Sequence, residues 1–103
     1  MILARVEGAV VASKKNAKMT GSKLLLVRPL LVDLAQPGQF KPGTNTIVTV
    51  DDLGAGEGEV VLIAQGSSAR LGAKDKDTPI DAVVIGIVDT VDVQKQLIYH
   101  AND

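Results

Sequence analysis

The apolar residues of this 103-residue chain fall into short segments separated by turn residues, and this spacing limits the fold more than any other feature. The segments are rich in Val, Ile and Leu, which favour strands. Gly, Pro, Asn and Asp lie between them, as expected where consecutive strands change direction. The pattern predicts five main strands and a brief last one: Ile2 to Ser13, Lys23 to Leu34, Thr46 to Asp52, Glu59 to Gln65, Asp81 to Val93 and Gln96 to His100.

Two of these predicted strands contain a residue that disturbs regular pairing. Gly8 lies in the middle of the first strand and predicts a bulge or a tight bend. Pro29 lies inside the second strand and cannot donate a backbone hydrogen bond, so we expect an edge, a bulge or a change of partner there. The segments 14–22 and 35–45 are expected to be loops, the second because it holds two Pro-Gly pairs.

A short helix is expected between the fourth and fifth strands. Ser67 can cap it, residues 68–71 form about one turn, and Gly72 can end it. Together the elements predict an all-β fold, a small and partly open five-stranded barrel of the oligonucleotide-binding (OB-like) type with one short helix. At this length, residues 1–103 are expected to form a single domain.

Composition excludes several classes of function. Eleven basic and twelve acidic residues give a net charge of −1, so no overall field attracts nucleic acid. Only 2% of the residues are aromatic, too few to provide a stacking platform for bases. The chain has no cysteine and therefore no disulfide or thiolate metal site. The apolar segments are too short or too interrupted to span a membrane, and Arg5 and Glu7 break the first one where a signal peptide would continue.

Candidate catalytic and metal-binding groups lack the partners that their chemistry needs. Ser67 and Ser68 could serve as nucleophiles, but the single histidine, His100, lies near the end of the chain. The glycines of "LGAGEGE" precede a strand rather than a helix, which indicates a turn and not a phosphate loop. We therefore expect no enzyme activity, no cofactor and no metal. Four carboxylates are interpreted as solvated turn charges: Asp51, Asp52, Glu57 and Glu59.

Three segments, in this order and at these separations, carry a family likeness: "KLLLVRPL", "VDDLGAGEGEVVLIAQGSSAR" and "PIDAVVIGIVDTV". The chain resembles the small vertex proteins of bacterial microcompartments, the ethanolamine-utilisation and carboxysome family. The resemblance implies a structural shell protein in a cytoplasmic microcompartment. It also implies a homopentamer that caps the corners of a polyhedral shell among hexameric shell proteins. The loop at 35–45 looks longer than in the family's shorter members.

The segment Gly66 to Arg70, "GSSAR", is predicted to lie at the contact between adjacent subunits. Its small residues permit close approach of two chains, and Arg70 supplies several directed donors in a planar fork. The predicted interface residues are Gly66, Ser67, Ser68, Ala69 and Arg70.

Two alternatives remain open from the residues alone. One is a stand-alone OB-like barrel that binds single-stranded nucleic acid or a small ligand. The other is an esterase-like hydrolase that uses Ser67 or Ser68 as its nucleophile. A measured mass separates a ring of subunits from the first alternative, and serine-directed reagents test the second.

Overall fold

Five strands of the computed structural model pair into a ring, which closes because the first strand bonds to a neighbour on each side. The structure describes residues 1–13, 17–19, 23–67, 69 and 80–101. Within that part it contains eight strands and one 3₁₀ turn at Ala17–Met19. The strands are β1 (Ile2–Val10), β2 (Lys23–Val32), β3 (Phe40–Pro42), β4 (Ile47–Asp51), β5 (Val60–Gln65), β6 (Ala82–Ile87), β7 (Thr90–Val93) and β8 (Gln96–His100).

The ring has the order β1-β5-β6-β4-β2, and the pairing of β1 with β2 closes it. Only the contact between β4 and β6 is parallel, with Val50 opposite Val83, and the other pairs are antiparallel. The all-β prediction and the five-stranded barrel are confirmed, but the barrel is closed rather than partly open. No helix in the described residues is long and apolar enough to cross a membrane.

Both disturbing residues act as the sequence predicts. The register of β1 against β2 shifts between Val6 and Gly8, which is the expected bulge. On its other edge, β2 pairs with β4 up to Val27 and with β3 from Leu30 onward. Pro29 lies at this change of partner, and its carbonyl accepts a hydrogen bond of 2.8 Å from the backbone N–H of Gly43.

Alternate residues of the five strands point into the barrel and form the main core. Ala4, Val27, Val61 and Ile63 are fully buried there. A second apolar cluster lies on the outer side of β4, β5 and β6, where Ala69 and Ile80 cover Val50 and Val83. Small and β-branched side chains fill both clusters, as the scarcity of aromatic residues requires.

Two element assignments differ from the prediction, and a third is untested. The segment 35–45 contains the short strand β3, because Phe40 and its neighbours pair with the end of β2. The long fifth strand is divided at Val88 and Asp89 into β6 and β7. The predicted helix falls mostly outside the described residues, which include only Ser67 and Ala69 from it, so it stays a prediction.

A second region projects from the barrel, and we call it the arm. It consists of the end of β2 from Leu30 to Val32, the segment 33–46 with β3, and the hairpin of β7 and β8. The molecule is elongated, with extents of 45 × 24 × 24 Å. In the described residues of 28–46 and 85–101, no residue is buried. The arm is therefore folded but contributes nothing to either core.

Candidate assembly surfaces

The predicted interface segment begins with a tight turn at the end of β5. Gly66 has a φ of 67°, a left-handed conformation that glycine adopts without strain. Its N–H donates to the carbonyl of Asp81 at 2.8 Å, and its carbonyl accepts from the N–H of Ala69 at 3.1 Å. The exposed Ser67 lies within this turn. Ser68 and Arg70 lie outside the described residues, so the prediction that they lie at a subunit contact stays a prediction.

Ala69 is fully buried within its own chain. It packs in the second apolar cluster against Ile80 and the outward-facing side of β4 and β6. Because its side chain has no exposed surface in the single chain, Ala69 cannot contact a neighbouring subunit directly. The accessible part of this segment in the described residues is thus Gly66 and Ser67, and Ala69 holds the segment on the barrel.

Beside this segment lies an apolar depression, which we call the wall cleft. Its volume is about 230 Å³. Val48 on its floor is 48% exposed, although Val50 two residues further along β4 is buried by the second cluster. The exposed Asp81, whose carbonyl holds Gly66, lies on its rim. The cleft is lined by Leu24, Val48, Thr49, Val50, Ile80, Asp81 and Ala82.

A second cleft of about 280 Å³ lies where the arm meets β1, and its charged side chains already have partners within the chain. Arg28 donates to Glu7 at 3.0 Å and to the carbonyl of Gly43 at 2.9 Å. Arg5 donates to the carbonyl of Gly58 at 2.9 Å and lies 5.7 Å above the ring of Tyr99. Because each guanidinium has a partner, this cleft fastens the arm to the barrel rather than presenting free cations.

Both aromatic residues of the chain belong to this junction. The rings of Phe40 and Tyr99 are 6.2 Å apart and tilted by 46°. The Tyr99 hydroxyl accepts a hydrogen bond of 3.3 Å from the backbone N–H of Val60 in β5. The two rings contact each other and the barrel, so they hold the hairpin in place.

The clustered carboxylates build a turn, and the interpretation as solvated charges is wrong for Asp51. Asp51 is only 2% exposed, because the alternation along β4 directs it inward. Its two oxygens accept hydrogen bonds from the N–H groups of Leu53 at 2.8 Å and Ala55 at 2.7 Å. Lys23 lies 3.8 Å from it. In the described residues, no three His, Asp or Glu side chains form a group that could hold a metal ion.

The exposed large apolar residues of the described chain include two groups that sequence reasoning missed. Leu31, Leu34 and Leu97 lie in the arm, and Val48 and Ile85 lie on the barrel wall; Met1, Val11 and Leu53 belong to neither group. The period-two pattern of β4 could have indicated that Val48 points away from the barrel interior. Its exposure, however, depends on how much of the outer side of β4 is covered by Ile80. The exposure of the arm leucines depends on tertiary packing that no local pattern reveals.

Comparisons with known proteins agree on one family. The model described as "Ethanolamine utilisation protein EutN/carboxysome" matches residues 1–89, so the β7–β8 hairpin lies beyond it. The bacterial microcompartment shell vertex protein PduN of Salmonella typhimurium is 47% identical over 91 residues, covering 88% of this chain and 98% of its own length. The carboxysome shell vertex protein CcmL of Gloeobacter violaceus is 45% identical over 103 residues, covering 100% and 97%.

Solved structures extend the likeness to the fold. The structure of Gloeobacter violaceus CcmL superposes with a TM-score of 0.86 at 43% identity and covers 100% of both chains. The GrpN pentameric microcompartment shell protein of Rhodospirillum rubrum gives a TM-score of 0.75 at 42% identity, covering 90% of this chain and 99% of its own.

These relatives confirm the prediction of a structural shell protein of a bacterial microcompartment rather than an enzyme. They do not support the stand-alone binding barrel. The chain belongs to the EutN/CcmL family of microcompartment and carboxysome shell vertex proteins.

Proposed function

We propose that five copies of this chain form a ring that fills the five-fold vertices of a polyhedral microcompartment shell. The observation that supports the proposal most strongly is the structural likeness to a pentameric shell protein, which covers 90% of this chain. Flat layers of six-sided tiles cannot close into a polyhedron, and five-sided units supply the missing curvature. The partners are therefore four further copies of this chain and the surrounding hexameric shell proteins.

A ring of this kind uses two different faces of each subunit, because a cyclic contact other than a two-fold one is heterologous. The predicted interface segment, Gly66 to Arg70, supplies part of one face through Gly66, Ser67, Ser68 and Arg70, while the buried Ala69 anchors it. Ser67 caps the short helix and Arg70 reaches a carboxylate or backbone carbonyls of the neighbour. The tight turn at Gly66 and the anchoring of Ala69 in the second cluster support this proposal, since they hold the segment against the barrel.

Binding of nucleic acid is not part of the proposed function. Stacking of bases needs open aromatic faces and a basic groove. Phe40 and Tyr99 contact each other, and Arg5 lies over the Tyr99 ring. The net charge of −1 gives no general attraction for phosphates.

Shell closure tests the vertex role. Cells that produce the hexameric shell proteins with and without this chain are compared by electron microscopy, with no second vertex protein present. Closed polyhedra are expected with the chain, and elongated or open bodies without it. Closed polyhedra of normal shape in its absence would refute the role.

The interface segment is tested separately by Arg70→Ala. If Arg70 pairs across a desolvated contact, its loss leaves the partner group unpaired and costs about 2–5 kcal/mol per contact. The ring should then dissociate on dilution, as followed by analytical ultracentrifugation. Lys14→Ala and Lys15→Ala, which remove a charge from the first loop, are the matched controls and should leave the ring intact. A ring of Arg70→Ala that resists dilution as well as the unaltered protein would assign Arg70 to the solvent-exposed surface.

A further inference from the structure

The arm and the wall cleft lie on different sides of the barrel, and this placement suggests how subunits join. In the ring order β1-β5-β6-β4-β2, the strands β4 and β6 lie across the barrel from β1. The wall cleft is lined by β4, by the residues that lead into β6 and its first residue Ala82, and by Leu24 of β2. The arm is fastened on the β1 side, through Arg5 and the β5 residue Val60, which both contact Tyr99. Each subunit thus presents a projecting element on one side and an apolar depression on the other.

The hairpin of the arm lacks apolar cover on the face that points away from the barrel. Tyr99 and its ladder partner Val91 share one face, and Tyr99 contacts the barrel and Phe40. Leu97, paired with Asp92 on the opposite face, is 54% exposed. A two-stranded hairpin is only marginally stable by itself in water. An exposed leucine on such a hairpin is therefore the part of the arm most in need of a partner surface.

The charges of the two surfaces are also complementary. The hairpin turn carries the exposed Lys95, and the rim of the wall cleft carries the exposed Asp81. Gln94 and Lys95 both have positive φ, 51° and 66°, which gives a two-residue turn that projects Lys95 at the tip of the arm. A rim pair of opposite charges fixes orientation more than affinity. The apolar contact then provides the stability and the ion pair the register.

We propose that the arm of one subunit packs into the wall cleft of the next copy, with Leu97 against Val48 and Lys95 near Asp81. The inference rests on the ring proposed above and names its contact surfaces. It also explains why neither surface is covered within one chain. The cleft adjoins the predicted interface segment, because Asp81 on its rim accepts the hydrogen bond of Gly66. Arm, cleft and segment then form one continuous heterologous contact around the ring.

Cross-linking tests the contact directly, since the unaltered chain has no cysteine. The double variant Leu97→Cys with Val48→Cys is assembled and treated with a short flexible bismaleimide. If arm meets cleft around a closed ring, the denaturing gel shows a ladder of covalent species up to the full ring. Either single variant alone should give monomers, because like surfaces do not meet. A mixture of the two single variants should give linked dimers.

Two results of this experiment overturn the inference. Linked dimers from Leu97→Cys alone would show that arms meet each other, which is a two-fold contact. A ring that forms but yields no ladder in the double variant would show that the arm lies elsewhere, and this leaves the proposed function intact. If the unaltered protein forms no ring at all, the proposed function fails and the inference fails with it.

A second comparison does not depend on cross-linking geometry. Leu97→Asp places a charge in the proposed contact, whereas Leu53→Asp places the same charge on a leucine of similar exposure, 51% against 54%, outside both apolar groups. Leu97→Asp should raise the concentration at which the ring dissociates by about tenfold or more. Leu53→Asp should leave it unchanged. Equal effects of the two substitutions would contradict the inference.

Discussion

The barrel and the arm are built from similar residues but differ in what they bury. The barrel strands hold fully buried Val, Ile and Ala side chains in two clusters. The arm has paired strands of its own, yet none of its described residues is buried. Its order comes from a few directed contacts: the Phe40–Tyr99 rings, Arg5 over Tyr99, and the hydrogen bonds of Arg28 and Val60.

This difference separates folding from assembly. Burial of apolar area stabilises the barrel within one chain. The arm keeps exposed leucines that the single chain does not cover, as expected for a surface that acts between copies. Substitutions in the barrel should therefore change unfolding, and substitutions in the arm should change association.

The largest expected effect is in the main core. Ile63→Ala removes a fully buried side chain and leaves a cavity, which should lower the free energy of unfolding by about 2–5 kcal/mol. Leu31→Ala in the arm is the control and should change it by less than about 0.5 kcal/mol. Urea denaturation at one protein concentration measures both. Equal losses would mean that the arm belongs to the folding core after all.

A smaller effect is expected at the buried carboxylate. Asp51→Ala leaves the N–H groups of Leu53 and Ala55 without their acceptor, which should cost about 2–3 kcal/mol of unfolding free energy. Asp52→Ala removes an exposed carboxylate from the same turn and should be neutral within about 0.5 kcal/mol. The same denaturation series compares them. A neutral Asp51→Ala would show that the turn does not depend on this acceptor.

The smallest effect is expected where the arm joins the barrel. Tyr99→Ala removes the ring contacts with Phe40 and Arg5, worth about 1–2 kcal/mol together. The loss should be local, so hydrogen exchange should accelerate in the β7 and β8 amides and at Val60, whose N–H loses the Tyr99 hydroxyl, and stay unchanged in β6 and the rest of β5. Tyr99→Phe keeps the ring and is the control. Acceleration throughout the barrel would show that arm and barrel unfold together.

The sequence predicted the barrel well because local chemistry determines its strands. Apolar runs located the starts of all five barrel strands to within one residue, although the fifth predicted strand ran on into β7. Gly8 and Pro29 indicated the bulge and the change of partner. Strand β3 was missed because the Pro-Gly pairs on either side of Phe40 are typical of loops. The break after β6 was missed because Val88 and Asp89 contain no turn signal of their own.

The candidate surfaces were harder to predict because the exposure of a strand residue depends on which distant segments pack over it. Alternation along β4 was sufficient to place Asp51 inside, and the prediction overlooked it. The burial of Val50 beside the exposed Val48 depends on Ala69 and Ile80, which are distant in sequence. The arm was not predicted, since its leucines look like ordinary strand residues in the sequence. Their exposure is evident only from the structure, in which the barrel closes without them.

The mass of the assembled protein tests the central claim most directly. Native mass spectrometry of the full chain over a dilution series should show a dominant species of five subunits that persists to low micromolar concentration. A dominant monomer or dimer would contradict the account, because the arm and the wall cleft would then be exposed in solution. A six-subunit ring would keep the heterologous contact but remove the vertex role.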